Sequence, residues 1–290
     1  MKKYNADESH PDKLKFYGMD VEMQGFSGDT IPAHPAIDEV LKYLNSVDPA
    51  EANSITSALE PYIHRLSVAK YPLLSLEEHD RLSAILRDMT WLFVRERIKY
   101  MAASSKEKYE WAYHNTIIAQ QTDEMIRVSP PDKPGQIPPE AWKAMSTRDA
   151  AMAENVMWIL DKAANKGKVL VYSHNAHIKN AVTTGSVWNA FSQPPNSTGQ
   201  YLRSMLGSNL LLIGSSCAPS LATAQPGNLD SALVQVGKPR FLLDIRKAAK
   251  DMAVKSWLEE KRPMEANKVA YLLLQPWLAF DVLLFINKDE

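Results

Sequence analysis

Residues 169–180 read "VLVYSHNAHIKN", an almost wholly apolar run that stops at two histidines, His174 and His177. A run of this length, β-branched and aromatic, reads as a strand buried on both faces. Such strands belong to sheets whose connections cross over through helices. Similar runs follow at 209–214 "NLLLIG", 240–245 "RFLLDI" and 281–286 "DVLLFI", with helical patterns "GQYLRSMLG" and "LDSALVQVG" between them. The fold class expected is α/β, with a largely parallel or mixed sheet flanked by helices.

Upstream, "LKFYGMDVE" (14–22) reads as the first strand and ends in the carboxylates Asp20 and Glu22. From about residue 34 to 126, apolar residues recur at three- and four-residue spacing, as in "LEEHDRLSAILRDMTWLFVRERIKYMA". Ser75 followed by Glu78 has the pattern of a capping box. Trp91, Trp111, Met89, Met101 and Met125 read most simply as core of these helices. "SPPDKPGQIPPE" (129–140) carries too much proline for a helix or a central strand. The next helix, "STRDAAMAENVMWILDKAANKGK", takes Thr147 as its cap and Gly167 as its stop. Arg148 and Asp149 then fall at its opening, where the helix dipole would stabilise the aspartate. The organisation is therefore a first strand and entry loop (1–33), an inserted helical subdomain (34–128), a Pro-rich loop (129–140) and the remainder of the α/β core (141–290).

With 33 basic and 34 acidic side chains, the formal charge of -1 provides no field to hold nucleic acid or an anionic membrane. The longest apolar stretches, "VAYLLLQPWLAF" among them, fall short of the roughly 18 to 20 residues of a membrane span. The N-terminal "MKKYNADESHPDK" lacks the apolar segment of a secretory signal. The single cysteine, Cys217, forms no internal disulfide and reads as a small buried hydrophobe. A cytoplasmic chain is the expectation.

In α/β sheets, functional groups gather where strands end. His174, Asp20 and Glu22 occupy such positions, and imidazoles there suit proton transfer near neutral pH. Arg148 could neutralise a developing oxyanion. Three readings of the H-x-x-H pair stay open: catalytic groups, a metal site completed by Asp20 or Glu22, or a strand end satisfied by hydrogen bonds. No serine lies in a G-x-S-x-G elbow, "GSSCAPS" (214–220) having the wrong spacing.

The phrases "FYGMDVE", "RDAAMAENVMWIL", "KVLVYSHNAHIKN", "GQYLRSMLGSNLLLIG", "LDSALVQVGKPRFLLDIR" and "FDVLLFIN", in that order, resemble the erythromycin esterase family over nearly the whole chain. The resemblance implies a hydrolase that opens the lactone ester of macrolide antibiotics, with a cleft between a mixed sheet and a helical subdomain. It implies water activation by a histidine base with glutamate assistance and no covalent intermediate; no cofactor and no resident metal are expected. Carried onto this sequence, His174 and His177 would line the cleft and hold or polarise the ester. Arg148 would contact the oxyanion or substrate, and Asn175, Asp20 and Glu22 would contribute to substrate binding.

One departure from the family pattern stands out. The G-E-x-x-H-G phrase, whose histidine is the expected base, has no match, since Glu8 and His10 are wrongly spaced. The chain thus resembles the C-terminal two-thirds of a family member, an N-terminally truncated form with weak or no activity. A sheet lacking strands would expose apolar surface and unpaired backbone. The alternatives are a non-catalytic ligand-binding remnant and a metal-dependent hydrolase built on the H-x-x-H pair.

Overall fold

A computed structural model describes residues 1–21, 35–66, 70–130, 136–163, 167–219, 225–248, 250–267 and 270–287. After the short α1 (Lys2–Ala6), four of the next helices are α2 (Pro35–Val47), α3 (Pro49–Leu59), α4 (Leu76–Arg95) and α5 (Arg97–Ala103). The long α6 (Lys106–Arg127) follows them. Their start signals are local. Asp48 caps α3 with Pro49 behind it. Ser75 and Glu78 form both bonds of the capping box at α4, 2.7 and 3.2 Å long. Ser105 caps α6 through the Lys108 amide.

These helices share one core because their apolar positions repeat at helical spacing. Ile37, Val40 and Leu44 of α2 and Leu82, Leu86, Met89 and Phe93 of α4 are all buried in one cluster, with α6 packed against both helices. The rings of Tyr43, Phe93, Tyr100 and Tyr109 pack at centroid separations of 5.6 to 6.2 Å. The buried phenols of Tyr43 and Tyr109 are satisfied: Tyr43 donates to the Tyr100 carbonyl and Tyr109 to that of Phe93. Met89 and Met125 lie in this core and Met101 packs against it. Trp91 and Trp111 do not, since both face solvent across more than a third of their surface. They sit on the outer stripe of α4 and α6, which composition alone could not distinguish from the inner one.

The second half begins with α7 (Trp142–Lys162) and continues through α8 (Asn175–Ile178) and α9 (Thr198–Leu206). Strand β1 (Ile213–Ser216) is followed by α10 (Leu229–Val234), β2 (Arg240–Asp244), α11 (Ile245–Ala248) and α12 (Met252–Glu259). The chain then forms β3 (Arg262–Asn267), β4 (Ala270–Leu274), α13 (Pro276–Ala279) and β5 (Val282–Ile286). The sheet is mixed: β5 is central, parallel to β1 and antiparallel to β2. β3 and β4 pair as a separate antiparallel hairpin, with a register shift between Glu265 and Asn267. Met264, Leu272, Leu274, Leu283 and Phe285 fill the core between them. Among the described residues, no helix is long and apolar enough to cross a membrane.

The α/β class and the mixed sheet agree with expectation, but two expected strands do not form. Residues 14–21 and 168–173 run extended, and among the described residues neither pairs with a strand. Leu170 and Tyr172 are 91% and 96% exposed, so this stretch is not buried on both faces. Helix α7 also starts earlier than expected, at Trp142. Thr147 is therefore inside the helix rather than its cap, and Asp149 lies beyond its first turn.

Candidate active site at His177 and Asp149

The turn at α8 is set by His174, whose backbone is extended (φ -66°, ψ 148°) and whose side chain caps the helix. Its Nδ1 accepts from the Ala176 amide at 3.1 Å, which leaves the proton on Nε2, 2.7 Å from the Ala266 carbonyl. Both ring nitrogens are thus engaged in holding α8 against β3. Asn175 does the same on the other side. Its amide donates to the Ser215 carbonyl (2.6 Å) and accepts from the Ser215 amide (3.0 Å), bracing the edge of β1 as a neighbouring strand would.

His177 points elsewhere. Its Nδ1 lies 2.9 and 3.0 Å from the two carboxylate oxygens of Asp149. An ionised carboxylate only accepts, so Nδ1 carries the proton and Nε2 keeps its lone pair. That Nε2 has no hydrogen-bond partner among the described residues. Asp149 is buried, and its Oδ1 also accepts from the Thr198 amide at 2.7 Å and the Thr198 hydroxyl at 2.8 Å. The helix N-terminus that faces this aspartate is therefore that of α9, not of α7.

The close approach that makes this possible depends on Gly199. A Cβ there would lie 1.9 Å from the Ile178 carbonyl oxygen, so a side chain would push α9 off the turn after α8. Ser197 and Gln200 complete a capping box at the start of α9, and the Ser197 hydroxyl donates to the Lys179 carbonyl at 2.6 Å. Lys179 itself is buried, with Nζ donating to the Ala176 carbonyl at 2.8 Å. Burial pushes its ammonium down to about 8, against the opposing pull of the Asp149 charge.

Arg148, one residue before Asp149, is committed to Asp20. The guanidinium Nε and Nη2 reach the two carboxylate oxygens at 2.8 and 2.5 Å, a bidentate pair linking residues 128 apart. Asn155 holds the same segment through the Met19 carbonyl at 2.9 Å. Glu22 lies outside the described residues. The structure therefore ties Arg148 of α7 to Asp20 of the extended 14–21 segment, and groups His174, Asn175 and His177 at the cap and turn of α8.

Sequence reasoning missed Thr198, Lys179 and Asp230, and assigned Asp149 to a dipole alone. Asp230 sits under the end of β1, where it accepts from the Ser216 hydroxyl and the Glu265 amide, both at 2.6 Å. Burial raises its carboxyl to about 6. The "STG" phrase opening α9 was the available signal for Thr198, since a capping serine followed by glycine marks a close approach. For metal binding, both His174 nitrogens and the His177 Nδ1 are already in use. Among the described residues, no group of three or more His, Cys, Asp or Glu is placed to hold an ion.

The sequence profile described as Erythromycin esterase matches residues 1–288. Among solved structures, the chain is similar to a Bacillus cereus protein (22% identity, TM-score 0.75), covering 99% of this chain and 69% of that one. It is similar to a succinoglycan biosynthesis protein (19%, TM-score 0.75), covering 99% and 67% of the two chains. A third similarity is to a mutant of the erythromycin esterase EreC in its open conformation (11%, TM-score 0.61), covering 87% and 64%. At these identities the structures speak to the fold alone. No curated protein sequence matches significantly.

Proposed function

Because the chain belongs to the erythromycin esterase family, we propose that it is a carboxylic-ester hydrolase opening the lactone of a macrolide, with His177 as the general base. The observation that carries this reading is the orientation of one imidazole: Nδ1–H pinned to buried Asp149, Nε2 unshared. That arrangement fixes the tautomer in which Nε2 can accept a proton.

In this reading, a water donates a proton to His177 Nε2 as its oxygen bonds to the ester carbonyl carbon. Asp149 stabilises the imidazolium that forms, with the Thr198 amide and hydroxyl holding the carboxylate in place. Collapse of the tetrahedral intermediate breaks the ring carbon–oxygen bond, and His177 returns the proton to the leaving alkoxide. The product is a hydroxy acid heavier than the lactone by one water. Arg148 adjoins Asp149 in sequence, and its tie to Asp20 orients it while offsetting part of its charge. His174 and Asn175 act here as positioning residues that hold α8 between β3 and β1.

The test is incubation with a fourteen-membered macrolide, read by mass spectrometry. Replacing the base, His177→Ala, should cost on the order of a hundred- to ten-thousand-fold in rate. Asp149→Asn should lose most of the same rate, because an amide can hold the wrong tautomer. Undiminished turnover by His177→Ala would remove His177 from the mechanism. A second reading, binding without turnover, is favoured by one observation: among the described residues, the segment 168–173 that leads into α8 has no sheet partner to brace it. Macrolide binding with no hydrolysis by the folded parent would support that reading.

A further inference from the structure

Between α4, α6, α7 and α9 lies a cavity of about 920 Å³, large enough for a drug-sized ligand. Thr147, Ala150 and Glu154 line it from a different face of α7 than the one on which Arg148 and Asn155 hold the 14–21 segment. Neither 14–21 nor 168–173 contributes to its wall, so the unpaired extended segments do not shape it. Cations and carboxylates both line the cavity, but they are not paired with one another. Arg127 is joined to Asp80, Lys143 to Glu140 at 3.5 Å and Arg87 to Asp88 at 3.6 Å, all carboxylates outside the wall. Asp123, Glu124 and Glu154 of the wall meet no cation at ion-pair distance among the described residues. Buried Asp123 accepts from two hydroxyls, Tyr71 at 2.6 Å and Ser83 at 2.5 Å. Glu154 accepts from the Gln121 side-chain amide at 3.3 Å, and the carbonyl oxygen of that same amide is buried without a partner. The unspent groups are therefore acceptors. With each cation counted beside its own carboxylate, the charge left at the cavity is negative.

We propose that this cavity binds an organic polyamine, whose protonated nitrogens donate to Glu124, Glu154 and the Gln121 carbonyl oxygen. An ammonium carries donors and no acceptor, which matches a site whose free groups accept. A single metal ion does not suit the arrangement, since among the described residues no three His, Cys, Asp or Glu side chains are placed to hold one. The acceptors are instead spread out: Glu124 follows Gln121 by three residues on α6, about 5 Å along the helix surface. Ile117, Val128 and Trp142 supply apolar wall in the same cavity. A polyamine has that alternation, with ammonium groups separated by methylenes. A neutral polyol would leave the carboxylate charge unbalanced, and an anion would be repelled by it. The site is separate from the ester-hydrolysing reading of His177, because Asp149 faces α8 and α9 whereas the cavity lies on the α6 side of α7.

Isothermal titration calorimetry of the chain with spermidine at low salt tests this. One saturable site is expected, weakening as salt rises toward about 0.15 M. The double variant Glu124→Gln, Glu154→Gln removes two unpaired charges and should weaken binding by about tenfold or more. The matched double variant Glu60→Gln, Glu259→Gln makes the same change in net charge at exposed positions outside the cavity, and should leave binding within about twofold of the parent. Glu124 and Glu154 are themselves exposed, and circular dichroism checks that the fold survives their replacement. Magnesium ion and the neutral disaccharide trehalose, titrated in the same way, should each bind at least about tenfold more weakly than spermidine. Absence of a saturable spermidine site overturns the proposal. So does an equal loss in the Glu60, Glu259 variant, which would mean diffuse attraction to the whole surface, or magnesium or trehalose binding as tightly as spermidine.

Discussion

Phe93 and Tyr172 are both aromatic residues in strongly apolar stretches, yet Phe93 is fully buried and Tyr172 almost fully exposed. The difference is one of where the partners are encoded. In α2 to α6, each helix makes its own backbone hydrogen bonds and needs only a neighbour's apolar stripe. A strand satisfies no backbone group by itself and depends on a second strand from elsewhere in the chain or from another chain. Local signals therefore complete the helical half, whereas the sheet half is complete only where β1, β2 and β5 find one another.

Several experiments sharpen or break that contrast. The largest expected effect is in the aromatic core: Phe93→Ala should destabilise the helical half by about 3–5 kcal/mol in a denaturant melt. A loss below 1 kcal/mol would mean that the helices do not depend on this core. By contrast Leu170→Ala should shift stability by no more than about 0.5 kcal/mol.

Between those extremes, acid should act on the two halves in opposite directions. His114 in α6 is stacked on Trp158 with a buried Nδ1 that has no partner, and burial lowers it from 6.5 to about 4. A lowered folded value means the folded state resists protonation: its contribution is present above pH 6.5 and is lost as pH falls through about 4. Asp230 is raised from 3.8 to about 6 by burial, so its contribution is present below pH 3.8 and is lost as pH rises through about 6. Each is worth roughly 2–3 kcal/mol. Protection of α6 against hydrogen exchange, taken relative to the intrinsic amide rate at each pH, should fall between pH 6 and 4 while that of β1 and β3 rises, and His114→Phe should abolish the first trend. Parallel trends in both halves would break the comparison.

A smaller effect belongs to a helix end. Ser105→Ala removes the acceptor for the Lys108 amide at the start of α6 and should cost about 1 kcal/mol. An effect confined to α6 exchange would show that this end is locally held.

The helices were readable because their signals sit within a few residues of one another. The Ser75–Glu78 box and the 3-and-4 spacing of Leu82, Leu86, Met89 and Phe93 both act over one or two turns. Strands β2 and β5 were also readable, as "RFLLD" and "VLLFI". The β3–β4 hairpin was not. "RPMEAN" contains a proline and no β-branched residue, and its pairing is imposed by β4 and by the Asp230 carboxylate that receives the Glu265 amide.

At the candidate site, sequence alone marked the histidines, the arginine beside Asp149, and the family resemblance that the match over residues 1–288 shows to be membership. What it could not assign was which nitrogen is free. That depends on Asp149 lying 28 residues from His177, on Thr198 approaching from 49 residues away, and on a glycine that lets two backbones touch. The choice between a base and a cap is made by hydrogen bonds, which fall off within a few tenths of an ångström. Composition and periodicity determine which faces are apolar. Only the tertiary structure decides that His174 spends both nitrogens on backbone groups, the Ala176 amide and the Ala266 carbonyl 92 residues away, while His177 keeps one unshared among the described residues.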